Sequence, residues 1–329
     1  MAQNTRSKSR PSVLVTRRLP QAVEDRLADQ FDAAFNVEDR ALSAAEIGDA
    51  MLRYDALVPT VTDRVTAEHF AVSRRRVEIV ANFGAGFEHI DLDAARAAGV
   101  VVTNTPGVLT EATAEIAILL MLMTMRRASE GERELRAGAW TGWRPTHMLG
   151  RGLAGATLGL VGFGRIAQAA AAKARTLGMK IRYFSRNSAS PEIEASLDAE
   201  RISTLNELAT SADVLSIHVP GGPATFHLIN RDVLGLMQPD AILINTARGN
   251  VVDEAALAQA LAEGRLAAAG LDVYEGEPAV HPGLLEHPRT VLLPHLGSAT
   301  LETRVAMGMQ AAANLEAFFS GAEPPNRIA

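Results

Sequence analysis

The segment Leu158-Gly159-Leu160-Val161-Gly162-Phe163-Gly164-Arg165-Ile166-Ala167 sets a glycine-rich turn between an apolar run and an amphipathic stretch. Thr157 to Val161 reads as a buried strand. After the turn, Ile166, Ala170, Ala174 and Leu177 recur at helical spacing until Gly178, and Ile181 to Phe184 reads as a second strand. Gly162 allows a tight reversal, Gly164 allows backbone amides to approach a ligand, and Ala167 is small enough for the helix to pack on its strand. The first turn of that helix offers unpaired N–H groups and a positive dipole end. Strand, turn, helix and strand in this order form the site that a dinucleotide pyrophosphate requires.

At the end of the second strand an NAD site carries an acid that accepts hydrogen bonds from the ribose hydroxyls, about twenty residues on from the turn. Here the chain reads Ser185-Arg186-Asn187. No carboxylate is present to repel a 2'-phosphate, and the guanidinium of Arg186 can pair with one. NADP(H) is therefore the preferred cofactor. NAD(H) stays possible if Arg186 is an ordinary surface arginine.

A chain of 329 residues with 47% apolar content can build more than one core, and its net charge of -6 argues against a nucleic-acid or anionic-membrane surface. With no cysteine, disulfides, thiolate metal sites and a cysteine nucleophile are excluded. No spaced cluster of histidines and carboxylates suggests a metal site. The first ten residues are polar and basic, without the apolar stretch of a secretion signal, so a cytoplasmic location is the expectation. Ile116 to Met123 is too short to span a bilayer and fits a buried helix opened by Thr110.

Strand candidates ahead of the turn are Val13 to Val15, Ala56 to Val58, Val77 to Val80 and Val100 to Val102. Behind it come Val214 to Ile217, Ala241 to Ile244 and Ala267 to Leu271, with a helix over Glu254 to Ala262. The fold class is α/β with two doubly wound units. Glu302 to Phe319 reads as one or two helices without a strand and is assigned back to the first unit. The domain expectation is therefore a unit of residues 1–107 and 297–329 around a nucleotide-binding unit of 108–296. The chain then crosses between them twice, with Thr105-Pro106-Gly107 and Pro294 as hinge candidates. Only the first ten and last eight residues look loose.

Three polar residues fall just beyond predicted strands, where ligands lie in open parallel sheets. Arg248 follows Ile242-Leu243-Ile244-Asn245-Thr246-Ala247, Glu277 lies in Asp272-Val273-Tyr274-Glu275-Gly276-Glu277-Pro278, and His295 follows Leu292-Leu293-Pro294. A permanently charged Arg248 suits a carboxylate and a neighbouring carbonyl. Taken singly, each also fits a duller role: a structural ion pair, a solvated loop acid and a buried imidazole.

Together with Val13-Leu14-Val15-Thr16-Arg17-Arg18-Leu19-Pro20, Asn104-Thr105-Pro106-Gly107-Val108-Leu109-Thr110, Trp140-Thr141-Gly142-Trp143-Arg144-Pro145, Asn245-Thr246-Ala247-Arg248-Gly249 and Pro294-His295-Leu296-Gly297-Ser298-Ala299-Thr300, these residues carry a resemblance over essentially the whole chain. The sequence resembles the D-isomer-specific 2-hydroxyacid dehydrogenases, and within them the glyoxylate/hydroxypyruvate reductases. The resemblance implies a Rossmann domain inserted in a flavodoxin-like substrate domain, and a catalytic Arg248, Glu277 and His295. It also implies that the amides of Ala85 and Gly86, in Asn82-Phe83-Gly84-Ala85-Gly86, hold a substrate carboxylate. Trp143 matches a tryptophan that reaches a neighbouring subunit's site, and Ser298 a nearby polar contact. Many relatives have Asp where Ser185 stands, so an NAD-only assignment does not transfer. The expected cofactor contacts are Gly162, Gly164, Arg165, Ile166, Ser185, Arg186, Asn187, Val219, Pro220, Thr246, Ala247, Asp272, His295 and Gly297.

The implied chemistry is reduction of a small 2-oxo acid (glyoxylate, hydroxypyruvate) to a D-2-hydroxy acid. His295 delivers a proton, Arg248 holds the substrate, and Glu277 on the far ring nitrogen favours the charged imidazole. Arg126 to Arg151, with both tryptophans, is long for a connection and reads as an arm that grips a second subunit, making a homodimer. The alternatives are a short phosphoglycerate dehydrogenase and a non-catalytic dinucleotide-sensing corepressor. The second is disfavoured by the full Arg, Glu and His set.

Overall fold

A computed structural model describes residues 10–329. The looseness expected of the first ten residues falls, Arg10 apart, outside the described residues. The chain divides into two compact units: one runs to Leu109 and resumes over Thr300–Ala329, and the other is Thr110–Ala299. Among the described residues no helix is long and apolar enough to cross a membrane.

In the first unit five parallel strands, β1 (Ser12–Val15), β2 (Asp32–Phe35), β3 (Ala56–Val58), β4 (Ile79–Ala81) and β5 (Val101–Thr103), lie in the order β2-β1-β3-β4-β5. This is the flavodoxin-like order. β3 and β4 are wholly buried, as apolar runs covered on both faces must be. On one face the helices Gln21–Gln30 and Leu301–Phe319 close a core that includes Val13, Val15, Leu27, Ala81 and Leu315. Arg26 ties them with a forked pair to Glu316, at 2.8 and 2.9 Å.

In the second unit seven parallel strands, β6 (Thr157–Val161), β7 (Lys180–Phe184), β8 (Ala199–Arg201), β9 (Val214–Ile217), β10 (Ile242–Asn245), β11 (Ala268–Leu271) and β12 (Thr290–Leu292), lie in the order β12-β11-β10-β9-β6-β7-β8. β6 pairs with β7 on one side and β9 on the other, so the strand order reverses at the glycine turn, where such sheets bind nucleotides. The apolar stretch Ile116 to Met123 lies within the helix Thr110–Met125, whose Ala117, Leu120 and Met121 are fully buried. A side chain at Gly270 in β11 would meet Leu120 and Thr124 of that helix, which is why helix and strand can pack so closely.

The structure departs from the sequence expectations at edges and connections. β2 and β8 were not foreseen, and β12 was expected only as the run Leu292-Leu293 ahead of His295; each is three or four residues long and lies at a sheet edge. Such strands need no continuous apolar run, because one flank stays open. The strand expected over Val77 to Val80 begins only at Ile79, since Val77 and Glu78 donate to Met51 and Asp55 outside the ladder. A helix, Ala128–Arg136, interrupts the expected arm. The last eight residues are not loose: Ile328 and Ala329 exchange backbone hydrogen bonds with Val102, and Arg327 bridges to Thr103. The second crossing falls at Ala299 and Thr300 rather than after residue 296. Asp272 and Thr113 bind Gly297 and keep it in the second unit.

A Cβ at Gly308 would lie 2.5 Å from both methyl carbons of Val23. Overpacking of this kind costs about 1 to 3 kcal/mol, more than the ~1 kcal/mol that Ala gains over Gly in a helix. Gly308→Ala is therefore expected to lower the urea midpoint of unfolding, and adding Val23→Ala to recover part of the loss. A single variant as stable as the wild type would show that the two helices are not in contact there.

Candidate active site

Gly162 ends β6 with φ +90°, and a Cβ on it would sit 2.7 Å from the carbonyl oxygen of His218. Only glycine fits. Gly164 is extended, opens onto free space, and precedes the helix Arg165–Thr176, whose first turn has no side-chain cap. Phe163 between them stacks on Tyr183 of β7 at 3.9 Å, and its carbonyl accepts from Gln168 at 2.9 Å, so the turn is held from both sides. Arg165 and Ile166 open the helix.

Ser185, Arg186 and Asn187 follow β7, the last two exposed. The Ser185 carbonyl accepts from Arg201 Nη2 at 3.1 Å. Val219 and Pro220 follow β9 behind His218, whose Nε2 lies 2.9 Å from Ser216 Oγ. Burial pushes that imidazole down to about 4, so it adds no charge near neutral pH. Thr246 and Ala247 follow β10, and Thr246 Oγ1 is buried without a hydrogen-bond partner. An uncapped helix start, a Gly162 with no room for a side chain and an orphaned hydroxyl at neighbouring strand ends fit a bound dinucleotide.

Beyond β10 and β11 the structure brings Arg248, Glu277 and His295 to one edge of the sheet. Asn245 shapes the Arg248 turn: its Oδ1 accepts from the Ala247 amide at 3.0 Å and its Nδ2 donates to the Arg248 carbonyl at 2.8 Å. A Cβ on the next residue, Gly249, would fall 1.8 Å from the carbonyl carbon of Tyr274. The Arg248 turn therefore lies directly against the loop that carries Glu277. That loop is pinned too, since the Tyr274 amide donates to Glu277 Oε1 at 3.0 Å. On its other side the Glu275 amide donates to Glu254 at 2.7 Å, and His227 pairs with Glu275 at 3.0 Å.

Glu277 Oε2 lies 2.8 Å from His295 Nδ1. Both side chains are 35% exposed, so a small molecule can reach the outer ring nitrogen. Burial alone pushes the Glu277 carboxyl up; the hydrogen bond and charge of His295, the Tyr274 amide and the Arg248 charge outweigh it and hold the group below its ordinary value. It is ionised at neutral pH.

His295 has φ +56°, a left-handed conformation uncommon outside glycine. Asp272, expected at the cofactor, has both carboxylate oxygens on the amides that follow His295: Oδ1 on Leu296 at 2.6 Å and Oδ2 on Gly297 at 2.7 Å. Burial pushes the Asp272 carboxyl up, against those two amides and the His295 charge, which favour the anion. Thr113 Oγ1 donates to the Gly297 carbonyl at 2.9 Å, and Tyr274 Oη to the Leu293 carbonyl at 2.8 Å. Asn245, Gly249, Tyr274 and Thr113 were missed in the sequence. Only Asn245, an Asx turn before Arg248, left a local signal.

Of the remaining expected residues, Ala85 and Gly86 lie in the turn after β4 in the first unit, and Ser298 follows Gly297 in the second. Trp143 lies in the irregular stretch after the helix Ala128–Arg136 and is 82% exposed.

Residues 118–297 match the family model described as "D-isomer specific 2-hydroxyacid dehydrogenase, NAD binding domain". The chain belongs to the D-isomer-specific 2-hydroxyacid dehydrogenase family. Over 323 residues it is 42% identical to a glyoxylate reductase of Thermococcus litoralis, covering 97% of each chain. It is 38% identical to a glycerate dehydrogenase of Hyphomicrobium methylovorum over 315 residues, 96% of this chain and 98% of that one. The crystal structure of an NADPH-dependent glyoxylate/hydroxypyruvate reductase from Sinorhizobium meliloti, in complex with NADP and malonate, superimposes with a TM-score of 0.84 at 37% identity, covering 98% and 97% of the two chains. As a D-2-hydroxyacid dehydrogenase, the chain has a nicotinamide dinucleotide as its cofactor class.

In this dehydrogenase, replacing His295 by Asn removes the ring whose hydrogen bond and charge hold the Glu277 carboxyl below its ordinary value, and leaves burial to push it up, so Glu277 should take its proton at higher pH. The Glu277 side-chain carboxyl resonance, followed by NMR against pH, measures this. A titration that stays in place would show that the pair does not form in solution.

Proposed function

We propose that the protein reduces small 2-oxo acids, glyoxylate and hydroxypyruvate among them, to D-2-hydroxy acids, with NADPH preferred over NADH. The observation that carries this reading is the Glu277–His295 pair at 2.8 Å, at the same sheet edge as Arg248 and in the unit that holds the glycine turn. The names of the relatives support the substrate class, and the NADP in the Sinorhizobium complex supports the cofactor.

Bound along the turn, the dinucleotide supplies the hydride. Gly162, Gly164, Arg165 and Ile166 take its pyrophosphate. Arg186, with Ser185 and Asn187, takes the 2'-phosphate, where no carboxylate repels it. Val219, Pro220, Thr246, Ala247 and Gly297 line the remainder. Arg248 keeps the substrate carboxylate and carbonyl in register through its fork of donors. His295 gives its outer ring proton to the carbonyl oxygen as that oxygen gains charge, and Glu277 stabilises the ring while it is charged. The amides of Ala85 and Gly86 are assigned to the substrate carboxylate, and Ser298 is assigned as a further polar contact. The exposed Trp143 belongs to an arm that grips a second copy of the chain, giving a homodimer in which it completes the partner's site.

Initial rates with a panel of 2-oxo acids, each with NADPH and NADH, test this reading. The expected pattern is turnover of glyoxylate and hydroxypyruvate and a higher kcat/KM with NADPH. No turnover of any 2-oxo acid would overturn the activity. Equal or better use of NADH would overturn the cofactor preference alone.

A further inference from the structure

The turn from Asn82 to Gly86 has three successive carbonyls, and each is held by an asparagine. Asn82 Nδ2 donates to Gly84 O at 3.0 Å and to Gly86 O at 2.8 Å. The Thr105 amide also donates to Gly84 O, at 3.0 Å. Asn104 Nδ2 donates to Ala85 O at 2.8 Å. Asn82 is fully buried and Asn104 is 8% exposed. The amide orientation of Asn82 follows from chemistry, since only its NH2 group can serve two carbonyls. Its Oδ1 then faces His89 Nε2 at 2.9 Å and accepts the ring proton from it.

Asn104 is itself held by the C-terminal segment. Its amide donates to Asn326 O at 3.2 Å, its carbonyl accepts from Asn314 Nδ2 at 3.3 Å, and Asn314 Oδ1 accepts from the Asn326 amide at 3.1 Å. Asn314, on the helix Leu301–Phe319, is fully buried. A continuous chain of hydrogen bonds thus runs from Asn326 through Asn314 and Asn104 to the carbonyl of Ala85.

A trans peptide points its C=O and the following N–H in opposite directions. Fixing the Gly84 carbonyl therefore fixes the Ala85 N–H, and fixing the Ala85 carbonyl fixes the Gly86 N–H, each facing away from the asparagine that holds it. Successive N–H groups aimed to one side form a small anion-binding concavity. The asparagines that aim them are neutral and add no repulsion.

We infer that Asn82 and Asn104 are positioning residues that preform the amide pair of Ala85 and Gly86 for a carboxylate, and that Asn314 and Asn326 extend this support to the C-terminal segment. The inference rests on the reading that these two amides receive the substrate carboxylate. It assigns their pre-organisation to named side chains, so that little ordering remains to be done when the anion arrives.

The test compares Asn104→Ala and the shape-matched Asn104→Asp with the wild type. It uses glyoxylate with NADPH, with oxalate as a non-reacting carboxylate inhibitor. In each variant KM for glyoxylate and Ki for oxalate should rise about tenfold, the loss expected of roughly one aimed hydrogen bond, with kcat and KM for NADPH little changed. The effect should be larger for Asp, whose charge opposes the Ala85 carbonyl. Should Asn104→Ala fail to fold by circular dichroism, Asn104→Asp carries the comparison. A folded variant with wild-type KM and Ki would overturn the inference and leave the proposed reaction intact. So would a KM for NADPH that rises in step, the mark of general disruption. A wild-type enzyme that reduces no 2-oxo acid would overturn the reading beneath it.

Discussion

The buried carboxylate of Asp272, bonded to the amides of Leu296 and Gly297, is the interaction on which the rest of the site depends. It holds His295 in a left-handed conformation that costs about 1 to 3 kcal/mol on its own. The two amides favour the Asp272 anion against the burial that pushes its carboxyl up, and they tie down the backbone that follows His295. Thr113 and Tyr274 hold the same segment on either side of the imidazole. The ring then has one orientation, with Nδ1 on Glu277 and the other nitrogen outward.

The second unit achieves this with close backbone crossings rather than bulky side chains. Gly162 lies against the carbonyl of His218 and Gly249 against the backbone of Tyr274, and at neither place is there space for a Cβ. A parallel sheet delivers the C-terminal ends of its strands to one edge, and these crossings fix the loop after β6 against the loop after β9, and the loop after β10 against the loop after β11. The charges follow the same economy. A neutral His218 lies behind the turn, while Glu277 is kept ionised between His295 and Arg248.

The central strands and the glycine turn were legible because they are buried on both faces and read as apolar runs between turn residues. β9 was placed at Val214–Ile217 and the helix Glu254–Ala262 at its observed ends. Edge strands such as Asp32–Phe35, with two alanines and an acid, carry no such signal. Arg248, Glu277 and His295 could be named from their places after strands, and the resemblance gave them roles. What brings them together was not legible: Asp272 read as a cofactor contact, and Tyr274 was given no role. Their partners lie some twenty residues away in sequence, at Leu293, Leu296 and Gly297, and no spacing rule links them. The asparagines around Ala85 escaped for the same reason, since Asn82, Asn104, Asn314 and Asn326 meet only in the folded unit.

The central claim is that the imidazole held by Glu277 delivers the proton while contributing little to cofactor affinity. Replacing His295 by Asn and measuring both kcat for glyoxylate reduction and NADPH binding, by protein fluorescence, tests it most directly. The account predicts a fall in kcat of about a hundredfold to ten-thousandfold, the span of general acid catalysis, with NADPH affinity close to wild type. A variant that turns over within a few-fold of the wild type, or that loses turnover only because NADPH no longer binds, would contradict it.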